Sequence, residues 1–263
     1  MKLTVVGCAP AYSTLPDRSS SCYLIEEGDT RVLLDLGQGS FANLWRYASP
    51  AQVTAVVISH MHADHNVDLV PLRHWARYGH KGVGPELYGP TDLRPRYAEF
   101  QMAYSEPSPL TDFFADLKGG ALAEGEFAVG DLRIEARHVT HIPDSFAFRV
   151  SAASGNGPAF VYSGDCGDPD DLLPLVQPRD ILLCEAGFGI VRDAPGIHLT
   201  AGEAGSVAQR TQAARLILTH FHDRSGTEPL IDAANKEYRA GAELAVPGLT
   251  LDIGYARARE DHA

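Results

Sequence analysis

No stretch of this 263-residue chain stays apolar for the roughly 20 residues that a membrane-spanning helix requires. The opening Met1-Lys2-Leu3-Thr4-Val5 runs straight into a strand pattern with no signal-peptide core before it. The expectation is a protein of the cytoplasm with no membrane partner. Cysteine is scarce and scattered. Cys8, Cys22, Cys166 and Cys184 form no close pair and lie in or beside apolar strands, which argues against a disulfide framework and for buried, reduced thiols. Cys166 stands apart because it follows Asp165. Positive charge is also in short supply, with 22 Lys and Arg against 34 Asp and Glu and a net charge of −12. That balance excludes broad electrostatic capture of nucleic acid, which depends on neutralising phosphates with Lys and Arg. No low-complexity tract, internal repeat or long linker divides the sequence. With 44% hydrophobic residues, the chain can bury one large core as a single domain over residues 1–263.

Against these absences one segment is dense. His60-Met61-His62-Ala63-Asp64-His65 places three imidazoles and a carboxylate within six residues, directly after the apolar run Ala55-Val56-Val57-Ile58-Ser59. The run reads as a buried strand, so the donors emerge from a rigid element into a loop. Imidazole and carboxylate suit zinc-like divalent metals. Four donors this close cannot all converge on one tetrahedral ion. His60 and His62 can share one metal, leaving Asp64 and His65 for a second.

The rest of the chain reads as alternating strands and helices. Strands are expected at 3–7, 22–26, 31–35, 55–58, 132–138, 146–152, 159–163, 180–185 and 215–219. Helices are expected at 41–47, 67–78, 91–104, 168–176, 200–211 and 228–238. The stretch 106–125 is irregular and punctuated by Pro and Gly, suited to a lid over a cleft. Strands with helices between them define an α/β architecture.

His-x-His-x-Asp-His after a strand resembles the signature of the metallo-β-lactamase superfamily. Further motifs of that family follow in order: Arg137-His138-Val139-Thr140-His141, then Phe160-Val161-Tyr162-Ser163-Gly164-Asp165, then Leu216-Ile217-Leu218-Thr219-His220. The resemblance spans nearly the whole chain and implies a four-layer αβ/βα sandwich with the site along one edge of its two sheets. It also implies two divalent metal ions per chain, with Zn2+ favoured and Mn2+ or Fe as alternatives. His60, His62 and His141 would hold one ion, and Asp64, His65 and His220 the other, with Asp165 bridging them. Gly164 would let the backbone turn sharply and aim that carboxylate inward. His138 and His141 lie three positions apart and so point to opposite faces of a strand. His141-Ile142-Pro143-Asp144-Ser145-Phe146 is similar to the ribonuclease Z-like branch and selects His141. His138 is then a strand residue and His222 a residue flanking the pocket, while His74, His80 and His262 fall on surfaces or helix faces.

Leu182-Leu183-Cys184-Glu185 ends a strand in a carboxylate, and His198-Leu199-Thr200-Ala201 opens a helix. In ribonuclease Z and its relatives such a pair supplies a proton to the departing oxygen. The resemblance therefore proposes His198 as the acid, Glu185 as the group that orients and charges it, and Asp64 as a ligand that also handles the nucleophile's proton. Usual bacterial ribonucleases Z carry a long arm between the third His and the bridging Asp. Here His141 and Asp165 are only 24 positions apart, leaving no room for one. The first reading is accordingly a phosphodiesterase acting on a small substrate such as 3′,5′-cyclic AMP, with tRNA disfavoured as a partner. A ribonuclease Z-type tRNA 3′-processing endonuclease and a lactonase or thioester hydrolase are the alternatives. Relatives of this branch make a homodimer the expected assembly. Trp75, Arg73, Tyr104 and Arg149 are the candidates for shaping the pocket.

Overall fold

The computed structural model of the chain describes residues 1–13, 18–80, 83–104, 114, 117–155, 157–192, 194, 196–222 and 226–254. His262, the side chain of Tyr104 and most of the expected lid before residue 117 lie outside the described residues. Two mixed seven-stranded sheets stack face to face. The first has strand order β14-β1-β2-β3-β4-β5-β6, and the second has β13-β12-β11-β10-β9-β8-β7. The first contains β1 (Lys2–Gly7), β2 (Cys22–Glu27), β3 (Thr30–Leu34), β4 (Ala55–Val57), β5 (Glu86–Gly89), β6 (Gly119–Ala121) and β14 (Thr250–Asp252). The second contains β7 (Gly125–Val129), β8 (Leu132–Val139), β9 (Ser145–Ala152), β10 (Phe160–Tyr162), β11 (Ile181–Glu185), β12 (Arg215–Thr219) and β13 (Ala242–Leu244).

Because side chains alternate across a strand, strands rich in apolar residues on both faces must be covered twice. Val32, Leu34, Leu183 and Ile217 point inward and fuse with Tyr23, Phe148 and Tyr162 into the core between the sheets. Leu33 and Val56 point out from the first sheet and meet α1 (Ser40–Leu44), α3 (Leu69–His74) and α4 (Leu93–Tyr104) through Leu44, Leu72 and Tyr97. Leu182, Leu216 and Leu218 point out from the second sheet and meet α5 (Ala201–Thr211) and α6 (Glu228–Glu237) through Val207, Leu230 and Ala234. The result is the expected αβ/βα sandwich.

Local departures have local causes. The helix expected at 67–78 is instead α3, starting at Leu69 with Pro71 tolerated in its first turn, followed by a π-helical turn over Trp75–Gly79. The helix expected at 168–176 is a single 3₁₀ turn, Pro169–Leu172, closed off before Pro174. Short strands β5, β6, β13 and β14 carry too few residues to show a period in the sequence. Among the described residues, no helix is long and apolar enough to cross a membrane.

Candidate metal centre

The donors converge at one edge of the sandwich, where strands from both sheets end. β4 delivers His60 and His62 into a loop, and the next turn, α2 (Ala63–Asn66), carries Asp64 and His65. β8, β10 and β12 end just before His141, Asp165 and His220. Gly164 takes φ +56°, and a β-carbon there would come within 2.5 Å of the Phe146 carbonyl oxygen, so glycine is required for the turn that aims Asp165.

Asp165 divides the cluster. Its Oδ2 lies 3.5 Å from His60 Nε2 and 3.8 Å from His141 Nε2. Its Oδ1 lies 3.3 Å from His65 Nε2 and 3.5 Å from His220 Nε2. On the first side, His62 Nδ1 is 3.1 Å from His60 Nε2 and 3.2 Å from His141 Nε2. On the second, Asp64 Oδ2 is 3.1 Å from His220 Nε2 and 3.6 Å from His65 Nε2. The seven sequence-nominated donors thus lie together, with His60, His62, His141 and Asp165 in one close group and Asp64, His65 and His220 in another.

These spacings fit a cation. Four ligands around a tetrahedral ion with bonds of about 2.1 Å stand about 3.4 Å apart. His65 Nε2 and Asp165 Oδ1 are also fully buried with no hydrogen-bond partner among the described residues, a costly state unless a charge lies between them. The protonation pattern agrees. Burial pushes His60 and His62 below the usual imidazole range and takes His141 down to about 4, keeping them in the neutral form that ligates. Burial opposes charge on Asp64, yet the His220 hydrogen bond and neighbouring positive charge bring it down to about 2. The carboxyl of Asp165 is held well below its ordinary range against burial by His220, His65 and His60. Burial also opposes charge on His65, but Asp165 and Asp35 outweigh it and raise its pKa. The pocket thereby recruits a proton to balance two carboxylates, a charge that a bound cation would supply instead.

Each imidazole is aimed from behind. His60 Nδ1 meets Ser59 Oγ at 3.0 Å, His65 Nδ1 meets Asp35 Oδ2 at 2.7 Å, and His141 Nδ1 meets the Ile197 carbonyl oxygen at 2.6 Å. Such partners fix which ring nitrogen faces the centre. Asp35 was missed by sequence reasoning. It is fully buried and also accepts from Ser59 N–H, Ser59 Oγ–H and Tyr162 O–H, at 2.7 to 2.8 Å. Its φ of +60° lets the chain turn out of β3 while the carboxylate points back under the cluster.

Beside the donors stands the acidic–imidazole pair. Glu185, fully buried at the end of β11, accepts from Cys166 N–H and Gly187 N–H at 2.8 Å, and its Oε1 is 3.0 Å from His198 Nδ1. His198 is seated by the residues on its C-terminal side. Leu199 is buried against the α5 layer, and Thr200 and Glu203 cap α5 reciprocally. Burial disfavours the imidazolium, but the hydrogen bond and charge of Glu185 prevail and raise His198 to about 9. His198 Nδ1 is 3.8 Å from Asp165 Oδ2, and with His220 these residues form a third close group of donors.

Not every nominated residue reaches the centre. Arg149 forms a two-point ion pair with Asp180, at 2.8 and 3.1 Å, and so ties β9 to the turn before β11 instead of shaping a pocket. Trp75 stacks on His80 and meets Trp45 edge-on among the outer helices, and Arg73 is buried on α3. His74 stacks on exposed Tyr78, and His222 sits 5.0 Å from the Tyr12 ring. His138 packs its ring 4.1 Å from Phe146. Cys166 is buried one residue past Asp165, and its thiol donates to the Asp168 carbonyl.

A buried imidazole–carboxylate cluster on the edge of an αβ/βα sandwich defines a metallo-hydrolase. A family model described as the β-lactamase superfamily domain matches residues 30–221, and the chain belongs to that superfamily. It is 36% identical over 259 residues to an uncharacterized protein of Mycobacterium leprae, covering 96% of this chain and 89% of that one. It is 29% identical over 268 residues to the probable metallo-hydrolase YhfI of Bacillus subtilis, covering 96% of this chain and all of that one. The YhfI crystal structure superposes with a TM-score of 0.82 at 25% identity, covering 95% of this chain and 98% of that one. Ribonuclease Z of Myxococcus xanthus is 26% identical over 301 positions, covering 96% of this chain and 98% of that enzyme.

Proposed function

We propose that the protein is a dinuclear metal-dependent phosphodiesterase acting on a small substrate, with 3′,5′-cyclic AMP as the leading candidate and zinc as the favoured metal. The observation that carries this reading is the Glu185–His198 pair beside the seven-donor cluster. A phosphodiester with an alkoxide leaving group needs a proton at the departing oxygen, whereas the lactone and thioester alternatives make other demands on that position. His60, His62 and His141 would hold one ion and Asp64, His65 and His220 the second, with Asp165 shared. Ions bound there supply Lewis acidity and lower the pKa of water from 15.7 toward about 7.

The chain's own groups do the rest. His198, charged and oriented through Nδ1 by Glu185, presents Nε2 to the leaving oxygen and donates its proton there. Asp64 orients the nucleophile or accepts its proton. The buried floor of Asp35, Ser59 and Tyr162 holds the histidine rings against reorientation as charge builds.

A ribonuclease Z reading draws support from the Myxococcus xanthus relative. However, the 301 aligned positions exceed the 263 residues of this chain by 38, so that enzyme has segments with no counterpart here. The short His141–Asp165 interval and the −12 charge also disfavour a tRNA substrate. The test is turnover by purified, metal-loaded protein of cyclic AMP, bis(p-nitrophenyl) phosphate, a lactone and a precursor tRNA, alongside elemental analysis. The expected result is two metals per chain and hydrolysis of the small phosphodiesters. Cleavage of the tRNA with negligible cyclic AMP turnover would install the ribonuclease Z reading, and turnover of the lactone alone would overturn phosphodiester chemistry.

A further inference from the structure

A cleft of about 490 Å³ opens on the same edge of the sandwich as the metal centre, and no donor of that centre lines it. Its walls are Pro90, Thr91, Asp92 and Arg96 from the end of β5 and the start of α4, and Leu122 beyond β6. Its floor and far wall are His138, Pro143, Asp144 and Phe146, from β8, the turn after it and β9.

Two connections tie the cleft to the centre. Pro143 follows His141 by two residues, and His138 precedes it by three on the same extended segment, about 10 Å away at 3.3 Å per residue. The Phe146 N–H donates to the Ser59 carbonyl at 3.1 Å, and Ser59 is the residue behind His60. The cleft therefore begins where the His60–His62–His141 side of the centre ends. His198 stands at another border, close to His141, His220 and Asp165. A phosphodiester seated with its leaving oxygen at His198 can direct what its other ester oxygen carries toward the cleft. In a 3′,5′-cyclic nucleotide, with both ester oxygens on one ribose, that is the base on that ribose.

The lining specifies what that group is. The exposed ring of His138 rests on buried Phe146, with ring centroids 4.1 Å apart and planes 34° from parallel, and Pro90, Pro143 and Leu122 back the apolar side of the lining. Five of the nine lining residues are polar or charged, Thr91, Asp92, Arg96, His138 and Asp144. The Arg96 guanidinium is bonded to Asp92 at 2.6 Å, leaving Asp144 and Thr91 as further hydrogen-bonding groups. A second phosphate would meet two carboxylates and one already paired cation, so the cleft does not suit an anion. A flat, uncharged ring with a hydrogen-bonding edge suits it, and the volume lies in the range of small-ligand sites, about 300–1,000 Å³.

We propose that this cleft is the subsite for an aromatic body of nucleobase type, carried on the ester group that the phosphodiester retains. The proposal rests on the phosphodiesterase reading above. It makes Thr91 and His138 determinants of substrate choice without any part in the chemical step.

The experiment keeps the leaving group constant and varies the retained one. Metal-loaded enzyme is given methyl p-nitrophenyl phosphate and thymidine 5′-(p-nitrophenyl phosphate), and kcat/KM is measured for each. The wild-type protein is expected to prefer the thymidine ester at least about tenfold, the scale of one base stacked on an aromatic side chain. Thr91→Trp, which fills the cleft from its exposed rim, and His138→Ala, which removes an exposed ring, are each expected to bring that ratio close to one. Equal rates on the two esters in the wild-type protein would overturn the subsite and leave the phosphodiesterase reading standing, as would a preference that survives both variants. Inhibition by free thymidine that both variants abolish, with no preference between esters, would make the cleft a separate nucleoside site and equally overturn the proposal. Turnover of neither ester would remove the phosphodiesterase reading and the subsite with it.

Discussion

The Gly187 α-carbon abuts the His198 ring so closely that a β-carbon there would sit 2.8 Å from Cγ, 3.0 Å from Nδ1 and 3.1 Å from Glu185 Oε2. The same glycine donates its N–H to that Oε2 at 2.8 Å. A side chain at position 187 thus meets both members of the pair at once. Gly187→Ala is expected to displace the imidazole while leaving metal content intact. A misplacement of about 1 Å at a reacting group can cost about a hundredfold. The expected loss is therefore about 10- to 100-fold on a phosphodiester with an alkoxide leaving group and far less on a nitrophenyl ester, which departs without a proton. Equal losses on both would assign Gly187 to the fold alone.

Asp35 is the second position where one change should have wide effect. Asp35→Ala leaves the Ser59 N–H and hydroxyl, the Tyr162 hydroxyl and His65 Nδ1 facing a buried gap. Breaking a buried charged pair by removing one partner costs about 3–5 kcal/mol, and losing a residue that orients a metal-binding histidine costs about 10- to 100-fold in metal affinity. Denaturant unfolding and metal titration of the variant check both. Metal affinity equal to that of the wild-type protein would show that His65 needs no support from below.

The charge on His198 yields a pH prediction with a definite sign. Its pKa lies at about 9 in the fold, above the ordinary imidazole value of about 6.5. The Glu185–His198 interaction therefore stabilises the metal-free protein fully below about pH 6.5, and this contribution fades as pH rises through about 9. Glu185→Gln should lower the His198 titration seen by NMR. The stability difference between wild-type and variant should narrow across the same window. A wild-type ring that titrates near 6.5 would contradict the assignment.

The four thiols should be silent. Cys8, Cys22, Cys166 and Cys184 are all buried, and burial pushes the pKa values of Cys22, Cys166 and Cys184 up, away from the reactive thiolate. Native protein is expected to take up no iodoacetamide at pH 8, and denatured protein four equivalents. Rapid labelling of Cys166 in the native state would show that the loop after Asp165 opens.

The His60–His65 cluster was legible from its density after an apolar strand, whereas His141, Asp165 and His220, each following a strand, were picked out by the family resemblance and not by strand pattern alone. Runs such as Leu182-Leu183-Cys184, which must be buried on both faces, made an α/β chain legible, and the family resemblance supplied the arrangement of two sheets with helical covers. The residues that escaped notice leave no pattern. Asp35 sits in Asp-Leu-Gly after a strand, which reads as an ordinary turn. The acceptor behind His141 is the backbone carbonyl of Ile197, and a carbonyl has no letter. Gly187 matters through what it lacks, and its close contact exists only once β11 and the loop before α5 are packed. Arg149 was misplaced because an arginine on a strand near the motifs says nothing of Asp180, 31 positions later in the chain.

Each half of the donor cluster draws on both sheets. His60, His62, Asp64 and His65 come from the end of β4, whereas His141, Asp165 and His220 come from β8, β10 and β12. Whatever binds among them is therefore also a clasp across the sandwich. It closes an edge where the apolar interior gives way to charged side chains, while the inter-sheet core is held by Val32, Phe148, Leu183 and their neighbours. Emptying the clasp would loosen that edge first, and amide exchange would be expected to quicken at the mouths of β4, β10 and β12 before the middles of the same strands respond.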